Sequence, residues 1–159
     1  ATESVAWGVA SVATASASLR AEKWIIRCGP LVIALGTAGF MLFMPAGPIV
    51  GVLASAVCQG VGFGMMMGFV VRRIVASASV QERDVAASAM PTIQQIGMAV
   101  GASAVGIVAN TNGVATDMTK AVAENAAVWV FAAFLPLFFI AWIGAVRLTQ
   151  PDVSNGVDA

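Results

Sequence analysis

Apolar residues in this chain run in blocks rather than alternating with polar ones. Four blocks are long enough to cross a bilayer, which takes about 20 residues of helix: 25–44, 49–71, 91–110 and 126–146. None carries a charge in its interior; Arg27 and Arg147 stand at block ends, where a long side chain can snorkel toward water. A shorter block, 4–18, precedes them and reads as a partial span. The pattern predicts an all-α integral membrane protein: a bundle of four full transmembrane helices plus one partial N-terminal helix.

The blocks differ in character. In the second, Gly60, Gly64 and Gly68 recur at every fourth residue, and in the third Gly97 and Gly101 do the same. Small residues at this spacing let helix backbones approach closely in lipid, where dispersion drives association. These five glycines are the expected helix-packing positions. The last block is bulky and aromatic on all sides, with Pro136 a candidate kink. It predicts a peripheral, lipid-facing helix around which Gly-rich helices sit inside.

Between blocks, basic residues fall in alternate links. Arg20 and Lys23 occupy 19–24, with Arg27 just beyond; Arg72, Arg73 and Arg83 occupy 72–88; Arg147 leads the 147–159 tail. The link at 45–48 has no charge, and 111–125 holds Lys120 against Asp117 and Glu124. By the positive-inside rule the first group and the C-terminus are cytosolic. Trp24, Trp129 and Trp142 lie near block ends, where aromatic belts form. Ser79-x-x-Glu82 has capping-box spacing, so the cytosolic loop 72–90 is expected to hold a short interfacial helix from about Ser79, interrupted near Pro91.

Composition narrows the function. Of 159 residues 59% are hydrophobic and 10% charged, against about 25% charged in soluble domains, so the main partner is the lipid bilayer. Net charge is zero, which gives no footing for nucleic acid. Histidine is absent and the two cysteines, Cys28 and Cys58, sit at depths that differ by roughly 15 Å at helical rise. No metal site, disulfide or cofactor is expected. The blocks offer no buried acid–base pair, so no catalytic residue is assigned and the chain reads as a non-enzyme. The glycines at 60, 62 and 64 lie inside a span with no strand before them, unlike a phosphate loop. The opening residues look like a helix already under way, which predicts a piece of something longer.

Polar and soft residues inside the blocks are the remaining candidates. Gln59 sits at mid-membrane depth, suited to an interhelical hydrogen bond or to a water-filled substrate path. Gln94 and Gln95 point about 100° apart, so one can meet headgroups while the other turns to a neighbouring helix or the path. Met65, Met66 and Met67 cover every side of their helix; Met66 is the candidate for an adaptable apolar ligand surface. Glu82, Arg83 and Asp84 are solvated charge or, paired with Arg20 or Arg72, a latch on the inner face.

The stretch "QERDVAASAMPTIQQIGMAVGASAVGIVAN" resembles the penultimate span of the 14-span drug:proton antiporter branch of the major facilitator superfamily. "SLRAEKWIIRCGPLVIALGTAGF" resembles the second copy of that family's cytosolic signature loop in degenerate form, with Arg20, Arg27 and Gly29 fitting and the usual glycine and aspartate not evident. The resemblance implies the C-terminal portion of a proton-coupled exporter of drugs or other amphipathic small molecules in a bacterial inner membrane. Its partners would be the N-terminal part of the same transporter, a small-molecule substrate and a proton. The coupling carboxylate would then lie in that N-terminal part, since these spans hold none. The rivals are a small multispan protein that oligomerises through its glycine faces and a permease subunit of an ATP-driven transporter, whose coupling helix would fall in 72–88.

Overall fold

The computed structural model describes residues 1–45, 47–116 and 118–150. Among them are five helices and no strand: α1 (Thr2–Thr14), α2 (Leu19–Phe43), α3 (Ile49–Ser77), α4 (Arg83–Thr111) and α5 (Lys120–Leu148). The last four are long and apolar enough to cross a membrane. The 13 residues of α1 give about 20 Å of helix, short of the roughly 30 Å hydrocarbon core. The 29 residues of α3, α4 and α5 give about 43 Å, so their ends reach past it into the headgroup region.

Local chemistry sets the ends. The Ser18 hydroxyl caps α2 by accepting from the Ala21 amide at 3.4 Å, and Thr119 caps α5 by accepting from Val122 at 3.3 Å. After α4, Asn112 folds its side chain back onto the Val108 carbonyl. Gly113 then takes a positive φ of 92°, the left-handed turn that ends many helices.

Helices α2 and α3 form an antiparallel pair knit by one stripe on each. Along α2 the stripe is Glu22, Ile26, Gly29, Ile33 and Gly36; along α3 it is Gln59, Gly62, Met66, Phe69 and Arg73. Their contacts step in opposite directions: Gln59 lies against Gly36, Gly62 against Ile33, Met66 against Gly29, Phe69 packs with Ile26, and Arg73 reaches Glu22. Spacings of three and four residues keep each stripe on one face, as in a coiled-coil seam. Glycine alternates with bulk across it, which lets the backbones close. The seam carries polar ties as well: Gln59 Nε2 donates to Thr37 Oγ1 at 3.3 Å, and Cys58 Sγ donates to the Val32 carbonyl at 3.3 Å.

The opposite face of α3 receives α1. A Cβ at Gly60 would meet the Glu3 carbonyl and Ala6, and one at Gly64 the Trp7 carbonyl and Ala10. Ser11 Oγ donates to the Gly64 carbonyl at 3.0 Å. These contacts advance together along both chains, so α1 and α3 run parallel. Helix α5 packs on α2, where Phe40 and Phe131 stack at 5.3 Å. Helix α4 packs sparsely on α3 and α5, and Met90 is its one buried residue.

Two differences from the sequence expectation concern the 72–90 segment. Helix α3 continues through Arg72 and Arg73 to Ser77, and α4 begins at Arg83 and runs through Pro91. The short interfacial helix expected from about Ser79 is therefore not a separate element. Ser79 and Glu82 do meet, Oγ to Oε2 at 2.7 Å, but as a side-chain pair in the turn ahead of α4. Proline costs a helix one backbone donor and a clash. Here Pro30, Pro91 and Pro136 sit inside α2, α4 and α5.

Candidate functional site, an ion cluster where three helices end

The seam between α2 and α3 finishes in charge. Glu22 lies one turn inside α2 and is buried, its side chain 3% exposed. Its Oε1 accepts from Arg73 Nε at 2.7 Å, and its Oε2 accepts from Arg72 Nη2. Adjacent positions on a helix diverge by about 100°, so two neighbouring arginines approach the carboxylate from its two sides. Arg72 also lays its guanidinium over the Phe69 ring, 5.0 Å from the centroid, a favourable placement for a cation.

Helix α5 ends in the same place. Arg73 Nη1 donates to the Leu148 carbonyl at 3.3 Å, and Arg27 Nε donates to Thr149 Oγ1 at 2.7 Å. Thr149 is itself buried and returns its hydroxyl to the Ala145 and Val146 carbonyls at 3.0 Å. The last carbonyls of a helix carry the negative end of its dipole, so two guanidinium groups there are stabilising. One carboxylate, two arginines from α3, one from α2 and the C-terminus of α5 thus tie three helices together. They lie at the end of the bundle that holds the α1–α2 and α3–α4 links. Beside them opens a cleft of about 850 Å³ whose wall includes Ser18, Glu22, Arg72, Arg73, Ser77 and Arg147.

The sequence-level candidates distribute as follows. Of the latch candidates, Arg27 and Arg72 belong to the cluster. Arg20, Arg83 and Asp84 are exposed and outside it, and Glu82 is turned onto Ser79. Among the described residues Glu82 and Asp84 pair with neither Arg20 nor Arg72; the acid that Arg72 meets is Glu22. Sequence reasoning missed Glu22 and Arg73. Their signal was available in the three- and four-residue spacing that carries the α2 stripe back to Glu22 and the α3 stripe on to Arg73.

Of the pathway candidates, Gln59 is half-buried with its amide on Thr37, and Met66 lies over Gly29 in the same seam. Gln94 and Gln95 are exposed on α4, outside that seam. The four are not brought together. Of the packing glycines, Gly60 and Gly64 lie against α1, whereas Gly68, Gly97 and Gly101 face open space. Gly29, Gly36, Gly39 and Gly62, not singled out by the every-fourth-residue pattern, carry the close α2–α3 approach. An open apolar groove of about 770 Å³ runs along α1 and α3, lined by Val5, Val9, Val57, Val61 and Met65 among others.

Replacing Gln59 with leucine should cost about 0.6–1.7 kcal/mol, the measured scale of an interhelical hydrogen bond in lipid. Unfolding in mixed micelles would read it. A loss well above that range would show that the amide does more than bond Thr37.

Comparison with protein-family models, with curated proteins and with solved structures finds no match for the chain.

Proposed function

We propose that this chain is part of a secondary active transporter, built like the C-terminal portion of a major facilitator drug:proton antiporter. In this reading the Glu22–Arg72–Arg73 cluster is a latch on the inner face. The observation that carries the proposal is the burial of one carboxylate between two arginines of a neighbouring helix, at the bundle end rich in basic links. A buried ion pair is a poor source of net stability, because desolvation consumes most of the attraction. It is better suited to holding one of two arrangements. Alternating access needs such a contact, made when the inner face is shut and parted when helices rock open.

Other features support the same reading. The glycines at 29, 36 and 62 hold α2 and α3 close away from the cluster, a pivot about which their charged ends can part. The groove along α1 and α3 is apolar and includes a methionine, the side chain that adapts best to varied apolar ligands. Gln94 and Gln95 on the sparsely packed α4 leave polar groups for a facing half of the transporter or for substrate. In this reading the basic links and the C-terminus are cytosolic and the membrane is a bacterial inner membrane. The spans contribute no carboxylate at mid-depth for proton coupling, which falls to the other half.

A second reading is favoured by α4 itself. An apolar helix with one buried residue and open glycines also suits self-association, as a small multispan protein would use it.

The test is transport by the complete reading frame in everted membrane vesicles, using fluorescent amphipathic cations and an imposed proton gradient. Gradient-driven uptake that collapses with an uncoupler, and that is lost in Glu22→Gln while the protein still reaches the membrane, is the expected result. No gradient-dependent movement of any such cation would remove the transporter reading. A homo-oligomer from this chain alone, without transport, would favour the second.

A further inference from the structure

The ion cluster leaves positive charge over. Glu22 offsets one of the two arginines that hold it, and Arg147 stands at the cleft's edge, exposed and without an ion-pair partner among the described residues. Arg72 is only partly engaged. Its Nη2 goes to Glu22 while its side chain stays 57% exposed at the wall of the cleft, leaving its other N–H groups open to a ligand. Arg73, by contrast, is held on both sides by Glu22 and the Leu148 carbonyl. The wall of the cleft also includes the Ser18 and Ser77 hydroxyls. The result is a recess with two arginines carrying unengaged donors and a surplus of positive charge.

Its depth identifies the occupant. Arg72 directly follows the apolar block 49–71 and Arg147 directly follows 126–146. Residues that abut the hydrocarbon stretch on two helices lining one cleft lie at the level of lipid headgroups. Arginine's planar fork suits a phosphate, to which it can donate two parallel hydrogen bonds. Basic recesses between helices at the cytoplasmic surface are where anionic headgroups bind.

We infer that the cleft among α2, α3 and α5 binds the phosphate of an anionic membrane phospholipid, with Arg72 and Arg147 as its two recognition residues. The glycerophosphate enters from the side, its acyl chains staying in the bilayer along the apolar flanks of α3 and α5. The inference stands apart from the transporter reading, since it needs only the cleft and its depth.

The experiment uses the whole chain purified in a non-ionic detergent. It is titrated separately with short-chain phosphatidylglycerol, short-chain phosphatidylcholine and inorganic phosphate, and the rise in thermal stability is followed. Phosphatidylglycerol should stabilise saturably, and phosphatidylcholine should need far higher concentrations. Each basic residue near a charged surface is worth about fivefold in affinity. Arg147→Gln should therefore weaken phosphatidylglycerol about fivefold, and Arg147→Gln with Arg72→Gln roughly twenty-five-fold. Arg147→Gln removes no ion pair seen in the fold, so it reports on binding even if the double variant does not fold. Equal response to the two lipids, or phosphatidylglycerol affinity unchanged in Arg147→Gln, overturns the inference. Inorganic phosphate acting at the same concentration as the lipid would overturn the lipid assignment and make the recess a free-phosphate site.

Discussion

Gly36→Leu should prevent α2 and α3 from closing, with a loss of at least about 3 kcal/mol, the upper range for overpacked sites. A Cβ at Gly36 would lie 2.8 Å from the Gln59 amide nitrogen and 2.9 Å from the Ser55 carbonyl oxygen. Both are backbone atoms in the middle of α3, so neither can rotate aside as a side-chain tip would. The helices must separate, and the separation runs along the stripe. Gly62 loses its approach to Ile33, Gln59 loses Thr37, and Cys58 loses Val32. In lipid nothing hydrophobic pulls the pair back together, because detached helices find hydrocarbon as readily as each other. The matched control is Gly101→Leu, where an added Cβ meets nothing within 4 Å. It should shift the unfolding of this chain by no more than about 0.5 kcal/mol. Unfolding in mixed micelles and yield in the membrane fraction measure both; similar losses in the two variants would refute the division. In the complete transporter proposed above, Gly101→Leu becomes informative in another way. There it should impair transport while sparing this chain's own fold, if α4 seats against the other half.

Glu22→Ala should be the most damaging polar change, at about 2 kcal/mol. Removing one partner of a fully buried pair costs about 3–5 kcal/mol because a charge is stranded. The figure is lower here because water reaches the stranded groups, with the Arg72 side chain 57% and that of Arg73 23% exposed. Arg73 also keeps the Leu148 carbonyl. Glu22→Gln, whose amide oxygen can still accept from one arginine, should lose about half as much. Arg72→Gln should lose under about 1 kcal/mol, in the range of exposed pairs. The order Ala, then Gln, then the Arg72 variant is the measurement, read by thermal unfolding in detergent. If Arg72→Gln cost as much as Glu22→Ala, the asymmetry of burial around the carboxylate would be wrong.

The membrane spans were legible because the bilayer imposes a length and tolerates little charge, and both constraints are written in the apolar blocks. Their helical ends were not. Hydropathy stops at the edge of the hydrocarbon, whereas a helix stops where capping or backbone geometry stops it. Thus α2 begins at Ser18's cap, several residues before its apolar block. Likewise α3 carries Arg72 and Arg73 onward because nothing before Ala78 breaks it. That difference hid Glu22. It stands between Arg20 and Lys23, outside every apolar block; placed a turn inside α2 it falls on the stripe that faces α3. Of the glycines at every fourth residue, Gly60 and Gly64 lie in the α1–α3 contact. The α2–α3 seam follows spacings of three and four with mixed residue types, which an eye set for repeated glycine passes over. Gln94 and Gln95 stood out in the sequence as costly, and on α4 both are exposed among the described residues.

The clasp on the end of α5 has a consequence for how the protein is made. Arg27 and Arg73 emerge from the ribosome early, yet their acceptors, Thr149 and the Leu148 carbonyl, are among the last described residues to be synthesised. Until then Arg27 and the Nη1 of Arg73, whose Nε Glu22 can already hold, must be served by water or headgroups, and α2 and α3 can close along their length while their basic end lacks its third helix. Sealing waits for the insertion of α5. A ribosome stalled before residue 148 would thus hold a bundle already paired in the membrane interior but open at one rim, a state in which membrane chaperones or proteases could still distinguish unfinished chains from finished ones.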